Sequence, residues 1–137
     1  MSKVYLTRRI IFAASHRLHS PQLSDEENHR IFDKCNYIHG HGHNYTLFVT
    51  ISGTPDPITG MIINLVEFKD ILTRIIMDKV DHKHLNFDVD EFKTLNPTVE
   101  NMVIVFWNWL KHALPAGLLH EIKLYETENN IAIYRGE

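Results

Sequence analysis

Alternating apolar and polar side chains dominate the first half of the chain. Val4 to Ser15 reads as a strand of mixed alternation. Asn44 to Ser52 sets Tyr45, Leu47, Val49 and Ile51 against Asn44, Thr46, Phe48 and Thr50, the period of two that gives a strand one apolar face. The polar stretch from His19 to Lys34 between them is expected to be a long surface loop. Gly53-Thr-Pro-Asp-Pro-Ile-Thr-Gly60 supplies turn chemistry, after which Met61 to Ile63 should resume the sheet as a hairpin.

The period then changes from two to that of a helix. Asn64 and Glu67 form a capping-box pattern, and Leu65, Phe68, Ile71, Leu72, Ile75 and Ile76 recur three or four apart, predicting a helix from about Leu65 to Met77. A second helix begins near Asn96-Pro97-Thr98, carries Met102, Val103, Phe106, Trp107 and Leu110 on one face, and stops at Leu114-Pro-Ala-Gly117. Ile122 to Glu126 and Ile131 to Tyr134 close the chain as short strands. The expected fold class is α+β, with four antiparallel strands in one sheet and two helices on one of its faces. Such a sheet has open edges and a second face bearing Tyr5, Phe48 and Tyr125, so we expect several copies to close their sheets into a barrel as a homo-oligomer.

Composition narrows the class without choosing within it. With 137 residues, 44% of them hydrophobic, and a formal charge of −3, residues 1–137 read as one soluble domain. Lysines and arginines are scattered, which argues against a nucleic-acid partner. The N-terminus lacks the apolar stretch of a signal peptide, and the run from Met102 to Trp107 is too short to span a bilayer. A single cysteine, Cys35, excludes an intrachain disulfide and points to a reducing, cytoplasmic location.

The chemistry concentrates in Cys35-Asn-Tyr-Ile-His39-Gly-His41-Gly-His43-Asn-Tyr45. Alternate residues of a strand share a face, so two of His39, His41 and His43 can aim their imidazoles at one ion. His16, at the end of the first strand with small neighbours Ala13, Ala14 and Ser15, is the best third donor. Three imidazoles without a second cysteine suit a catalytic zinc with an open coordination position, not a closed structural site. Taken singly, each histidine reads as a solvated loop residue. Asp81 beside His82, in Lys79-Val-Asp-His-Lys-His84-Leu-Asn86, forms a further candidate pair that would activate a thiol only if folding brought it to Cys35.

Phe12-Ala-Ala-Ser-His-Arg-Leu18, Lys34-Cys-Asn, Gly40-His-Gly-His-Asn-Tyr, Asp56-Pro-Ile-Thr-Gly-Met, Val80-Asp-His-Lys-His-Leu-Asn, Pro97-Thr-Val-Glu-Asn and Leu124-Tyr-Glu-Thr-Glu-Asn-Asn together resemble the 6-pyruvoyl tetrahydropterin synthase family. The resemblance runs in order from about Val4 to the last residue. It implies a zinc ion on His16, His41 and His43, with His39 spare, and Cys35 as general acid/base with His82 and Asp81 as relay partners. It further implies Glu126 as the pterin anchor, with Thr98 and Glu100 as secondary pterin contacts. A carboxylate suits that anchor because it accepts two parallel N–H donors at once. The implied substrate is 7,8-dihydroneopterin triphosphate, converted with loss of triphosphate, with magnesium accompanying the phosphates. Arg9, Arg17, Lys34 and Lys83 are the cations nearest the motifs. The implied assembly is the tunnelling fold, a twelve-stranded barrel across a trimer and two trimers in a hexamer. Two rivals remain. Cys35 with His39-Gly-His41 also satisfies the shorter spacing that resembles 6-carboxy-tetrahydropterin synthase, and a zinc- and pterin-binding module without catalysis would share the ligands.

Overall fold

A computed structural model describes residues 2–137. Its sheet has five strands in the order β3-β1-β2-β4-β5. They are β1 (Val4–His16), β2 (His41–Gly53), β3 (Lys83–His84), β4 (Leu119–Tyr125) and β5 (Ile131–Tyr134). Strands β1, β2, β4 and β5 pair antiparallel, as the alternation predicts. The fifth, β3, is a two-residue parallel addition beside Ala14 and Ser15, which corrects the four-stranded expectation. Two residues carry no readable period, so the sequence cannot announce such a strand.

Two further expectations are revised. The stretch read as loop holds the helix α1 (Asp25–Phe32), started by a capping box in which Ser24 and Glu27 satisfy each other's backbone N–H. Its low hydrophobicity hid it, though Ser-Asp-Glu-Glu is the capping-box signal. Met61 to Ile63 does not rejoin the sheet and belongs to the irregular connection after β2. Asn64 then caps α2 (Leu65–Leu72) by accepting the Val66 N–H. This helix continues through a π turn at Thr73–Met77 into α3 (Asp78–Val80). A short α4 (Leu85–Asp88) follows β3, and α5 (Val99–Ala113) is capped by Thr98.

The apolar faces meet where the two periods require. Phe12, Tyr45, Leu47, Val49, Ile51, Ile122 and Leu124 from the strands pack against Phe68, Leu72, Ile76, Met102, Phe106 and Leu110 from α2, its π turn and α5. The opposite face leaves Tyr5, Ile11, Ile131 and Ile133 exposed. Among the described residues no helix is long and apolar enough to cross a membrane.

Candidate metal centre

The end of the β1–β2 pair builds the site. His16 lies directly opposite His41 in the antiparallel register, and His43 lies opposite Ala14. Residues 41, 43 and 45 therefore share the core-facing side of β2 with residues 14 and 16 of β1. Ring centroids are 4.8 Å apart for His16–His41, 5.3 Å for His16–His43 and 4.8 Å for His41–His43. One nitrogen from each of the three lies within 4.8 Å of the others. His39 stands apart, its ring against Tyr37. Gly40 makes this turn possible. Its φ is +76°, and a Cβ there would meet the His16 carbonyl oxygen at 2.8 Å.

Protonation states follow from the partners. His16 is fully buried, and its Nδ1 is 2.7 Å from the Pro97 carbonyl. A carbonyl only accepts, so Nδ1 carries the proton and the Nε2 lone pair faces inward. Burial, before any neighbouring charge, lowers the His16 pKa to about 4, and burial also lowers those of His41 and His43. All three are neutral near pH 7, the state that binds metal.

The inward Nε2 of His16 faces His41 Nε2 at 3.2 Å and a Glu126 carboxylate oxygen at 3.8 Å. Among the described residues, the buried nitrogens His41 Nδ1 and His43 Nε2 have no hydrogen-bond partner. Three imidazole nitrogens, one per ring, within 4.8 Å of one another and a carboxylate beside them make a cation site. The 3.2 Å separation is near the roughly 3.4 Å edge of a tetrahedron with zinc–nitrogen bonds of about 2.1 Å. The residues present fit a three-imidazole zinc centre.

The buried imidazoles carry a sign-definite pH effect. His16 has a folded pKa of about 4 against 6.5, so the unfolded chain binds more protons between those values and folding weakens as pH falls through that window. At about 1.4 kcal/mol per pH unit, His16 alone should remove about 3 kcal/mol. His41 and His43 add in the same direction. Urea unfolding of the metal-free chain at pH 7 and 4.5 should show this fall, reduced in His16→Gln; equal stability at the two pH values would refute it.

The other predicted site residues are distributed around this centre. Cys35 sits in a 3₁₀ turn (Asp33–Asn36) and is partly buried, with its backbone carbonyl accepting the Leu18 N–H at 2.8 Å. Burial, then the charges of Glu126 and Asp33, raise its thiol pKa. Glu126 closes the centre on one side, and burial raises its carboxyl pKa. Thr98 caps α5 by accepting the Asn101 N–H, and Glu100 occupies the first turn of that helix.

Asp81 and His82 form a pair at 3.0 Å. Asp81 accepts the Ala13 N–H and is held below the usual carboxylate range chiefly by that bond. His82 donates its own N–H to the Ala13 carbonyl and adopts a φ of +60°, a strained value for a non-glycine residue. Among the described residues no hydrogen bond joins this pair to Cys35, and 82% of the His82 side chain is exposed. The sequence also leaves unmarked the Pro97 carbonyl and the Tyr45 hydroxyl, 3.4 Å from His16 Nδ1. A backbone acceptor has no side-chain signature.

Two clefts flank the histidines. One of about 650 Å³ includes Ser15, His43, His82, Lys83 and His84. The other, about 550 Å³, places Arg17, His29 and Lys34 beside His41.

A family profile for 6-pyruvoyl tetrahydropterin synthase matches residues 5–137. The human 6-pyruvoyl tetrahydrobiopterin synthase is 49% identical over 132 residues, 96% of this chain and 91% of the human one. That of Dictyostelium discoideum is 49% identical over 134 residues, 98% of this chain and 97% of its own length. The structure of Caenorhabditis elegans 6-pyruvoyl tetrahydropterin synthase superposes with a TM-score of 0.95 at 40% identity, covering 100% of this chain and 98% of that one. The Plasmodium falciparum structure, at 14% identity and a TM-score of 0.67, shares the fold.

Proposed function

The chain belongs to the 6-pyruvoyl tetrahydropterin synthase family, enzymes that act as triphosphate-eliminating lyases in tetrahydrobiopterin synthesis, and on that premise we propose that it converts 7,8-dihydroneopterin triphosphate to 6-pyruvoyl-tetrahydropterin at a zinc ion held by His16, His41 and His43. The observation that carries this reading is the cluster of three neutral imidazoles with a lone pair fixed inward by Pro97. Bound there, zinc supplies a Lewis acid for the two hydroxyls of the substrate side chain. No nicotinamide or flavin is needed, because elimination of triphosphate and internal redox rearrangement balance each other.

The chain's own groups then divide the work. Glu126 takes the paired N–H donors of the pterin ring at the edge of the centre, with Thr98 and Glu100 as secondary contacts. Cys35 removes and returns protons at the side-chain carbons. Its raised pKa in the protein alone needs the pull of a nearby cation. His82, oriented by Asp81, takes and returns the thiol proton. The pair's exposure and strained backbone support its serving the thiol of a neighbouring copy. Arg17 and Lys34 in the cleft beside His41 are suited to the triphosphate, with magnesium accompanying it.

Assembly completes the proposal. The exposed apolar face and the open edges at β3 and β5 support sheets closing into a barrel across a trimer, and two trimers forming a homohexamer. We assign residues 1–137 to one pterin-synthase domain and the enzyme to the cytoplasm.

The 6-carboxy product is the nearest rival. The exclusion of His39 from the imidazole cluster favours the longer cysteine-to-histidine spacing and hence the pyruvoyl product. Anaerobic incubation of the zinc-loaded protein with 7,8-dihydroneopterin triphosphate and magnesium should yield 6-pyruvoyl-tetrahydropterin and triphosphate by chromatography. Acetaldehyde release would establish the carboxy enzyme, and zinc and pterin binding without any turnover would establish a non-catalytic module.

A further inference from the structure

His16 is oriented by a turn that is itself held from the first turn of the helix it leads into. Thr98 donates its N–H to the Asn96 carbonyl at 2.8 Å, closing a γ-turn with Pro97 at its centre. The proline ring pre-sets the central φ and offers no N–H of its own, so the buried Pro97 carbonyl is left free to face His16 Nδ1 at 2.7 Å. The Asn96 carbonyl also accepts the Asn101 side-chain amide at 2.9 Å. On the other side, the Asn96 side chain accepts the His19 backbone N–H at 3.1 Å, tying the turn to the segment just past His16.

We propose that Asn101 is a positioning residue for the metal centre: by gripping the Asn96 carbonyl from the first turn of α5, it aims the Pro97 carbonyl that fixes His16 as the Nδ1–H tautomer. The reasoning is geometric. Without an acceptor at 2.7 Å, His16 can place its proton on either nitrogen, and a proton on Nε2 occupies the lone pair that faces the other imidazoles. Outer partners that fix a ligating histidine are typically worth about 10–100-fold in metal affinity. Asn101 acts one bond further out, so about tenfold is expected.

This inference rests on the reading of His16 as a zinc ligand, and its test separates the two. Asn101→Asp preserves shape but replaces the amide donor by an oxygen that repels the Asn96 carbonyl; Asn101→Ala removes the donor without adding charge and serves if the first variant does not fold. Nitrogen-15 spectra of the metal-free protein should show His16 as the Nδ1–H tautomer in the parent chain and as a mixture in the variant. Zinc affinity measured by chelator competition should fall about tenfold in the variant. The exposed Asn108→Asp on the same helix should change neither. A lowered melting temperature with unchanged tautomer and unchanged zinc affinity would make Asn101 merely structural and overturn the proposal. Failure of the parent chain to bind zinc would instead overturn the metal reading, with the tautomer measurement still deciding what Asn101 does to His16.

Discussion

A Cys35→Ala chain should retain one zinc per subunit and lose about 10²–10⁴-fold in turnover of 7,8-dihydroneopterin triphosphate, the usual loss on removing a general acid/base. The prediction separates two roles that adjacency in sequence confuses. Cys35 stands just ahead of the histidines, yet the imidazole cluster is complete without it. Its structural bond is made by its backbone carbonyl to the Leu18 N–H, which any side chain leaves in place. Removing one partly exposed sulfur from a 3₁₀ turn should therefore cost little stability. Metal content by atomic emission, circular dichroism melts and product chromatography check the three parts. Parent-level activity in this variant would remove the thiol from the mechanism.

Replacement of His43 by Ala should have the broader effect, because it acts on both metal and turnover. A protein zinc site is worth on the order of 10–16 kcal/mol near neutral pH, so one ligand in four accounts for roughly 3–4 kcal/mol, or about 10²–10³-fold in affinity. Turnover at limiting zinc should fall with it. The fold has reason to survive: His43 is only partly buried, its Nε2 has no hydrogen-bond partner among the described residues to strand, and the backbone pairing with Ala14 is independent of the side chain. His39→Ala is the matched control. His39 lies two residues before His41 but packs edge-on against Tyr37 outside the cluster, so metal and activity should stay at the parent level. A His39 variant that lost zinc while the His43 variant kept it would reverse the ligand assignment.

Where the sequence is periodic, it predicts the structure well. The alternation of Tyr45, Leu47, Val49 and Ile51 fixes the buried face of β2, and that same phase, carried back two and four residues, aims His43 and His41 inward. Helical spacing places the core faces of α2 and α5. The misses have physical reasons. Helix α1 buries only Asn28, so it lacks an apolar stripe and must be recognised from its Ser24–Glu27 cap. The strand β3 is two residues long and exists because Asp81 and His82 bond to Ala13, a tertiary event invisible locally. The choice among His39, His41 and His43 stays open in the sequence, because alternation alone does not say where the strand begins. Gly40, with its φ of +76°, sets that start.

The same limit applies to electrostatics. In the folded protein alone the Cys35 thiol pKa is raised, because burial and then the carboxylates of Glu126 and Asp33 act on it. Its reactivity is therefore assigned to what binds, not to the apoprotein. The Pro97 carbonyl makes a related point about His16. A backbone oxygen 81 residues away decides which nitrogen carries the proton.

X-ray absorption at the zinc edge on the purified, zinc-loaded protein tests the central claim most directly. Three imidazole nitrogens at about 2.0–2.1 Å and one oxygen donor around the zinc are the result required by His16, His41 and His43 with an open position. A sulfur scatterer at about 2.3 Å would make Cys35 a ligand and contradict the account.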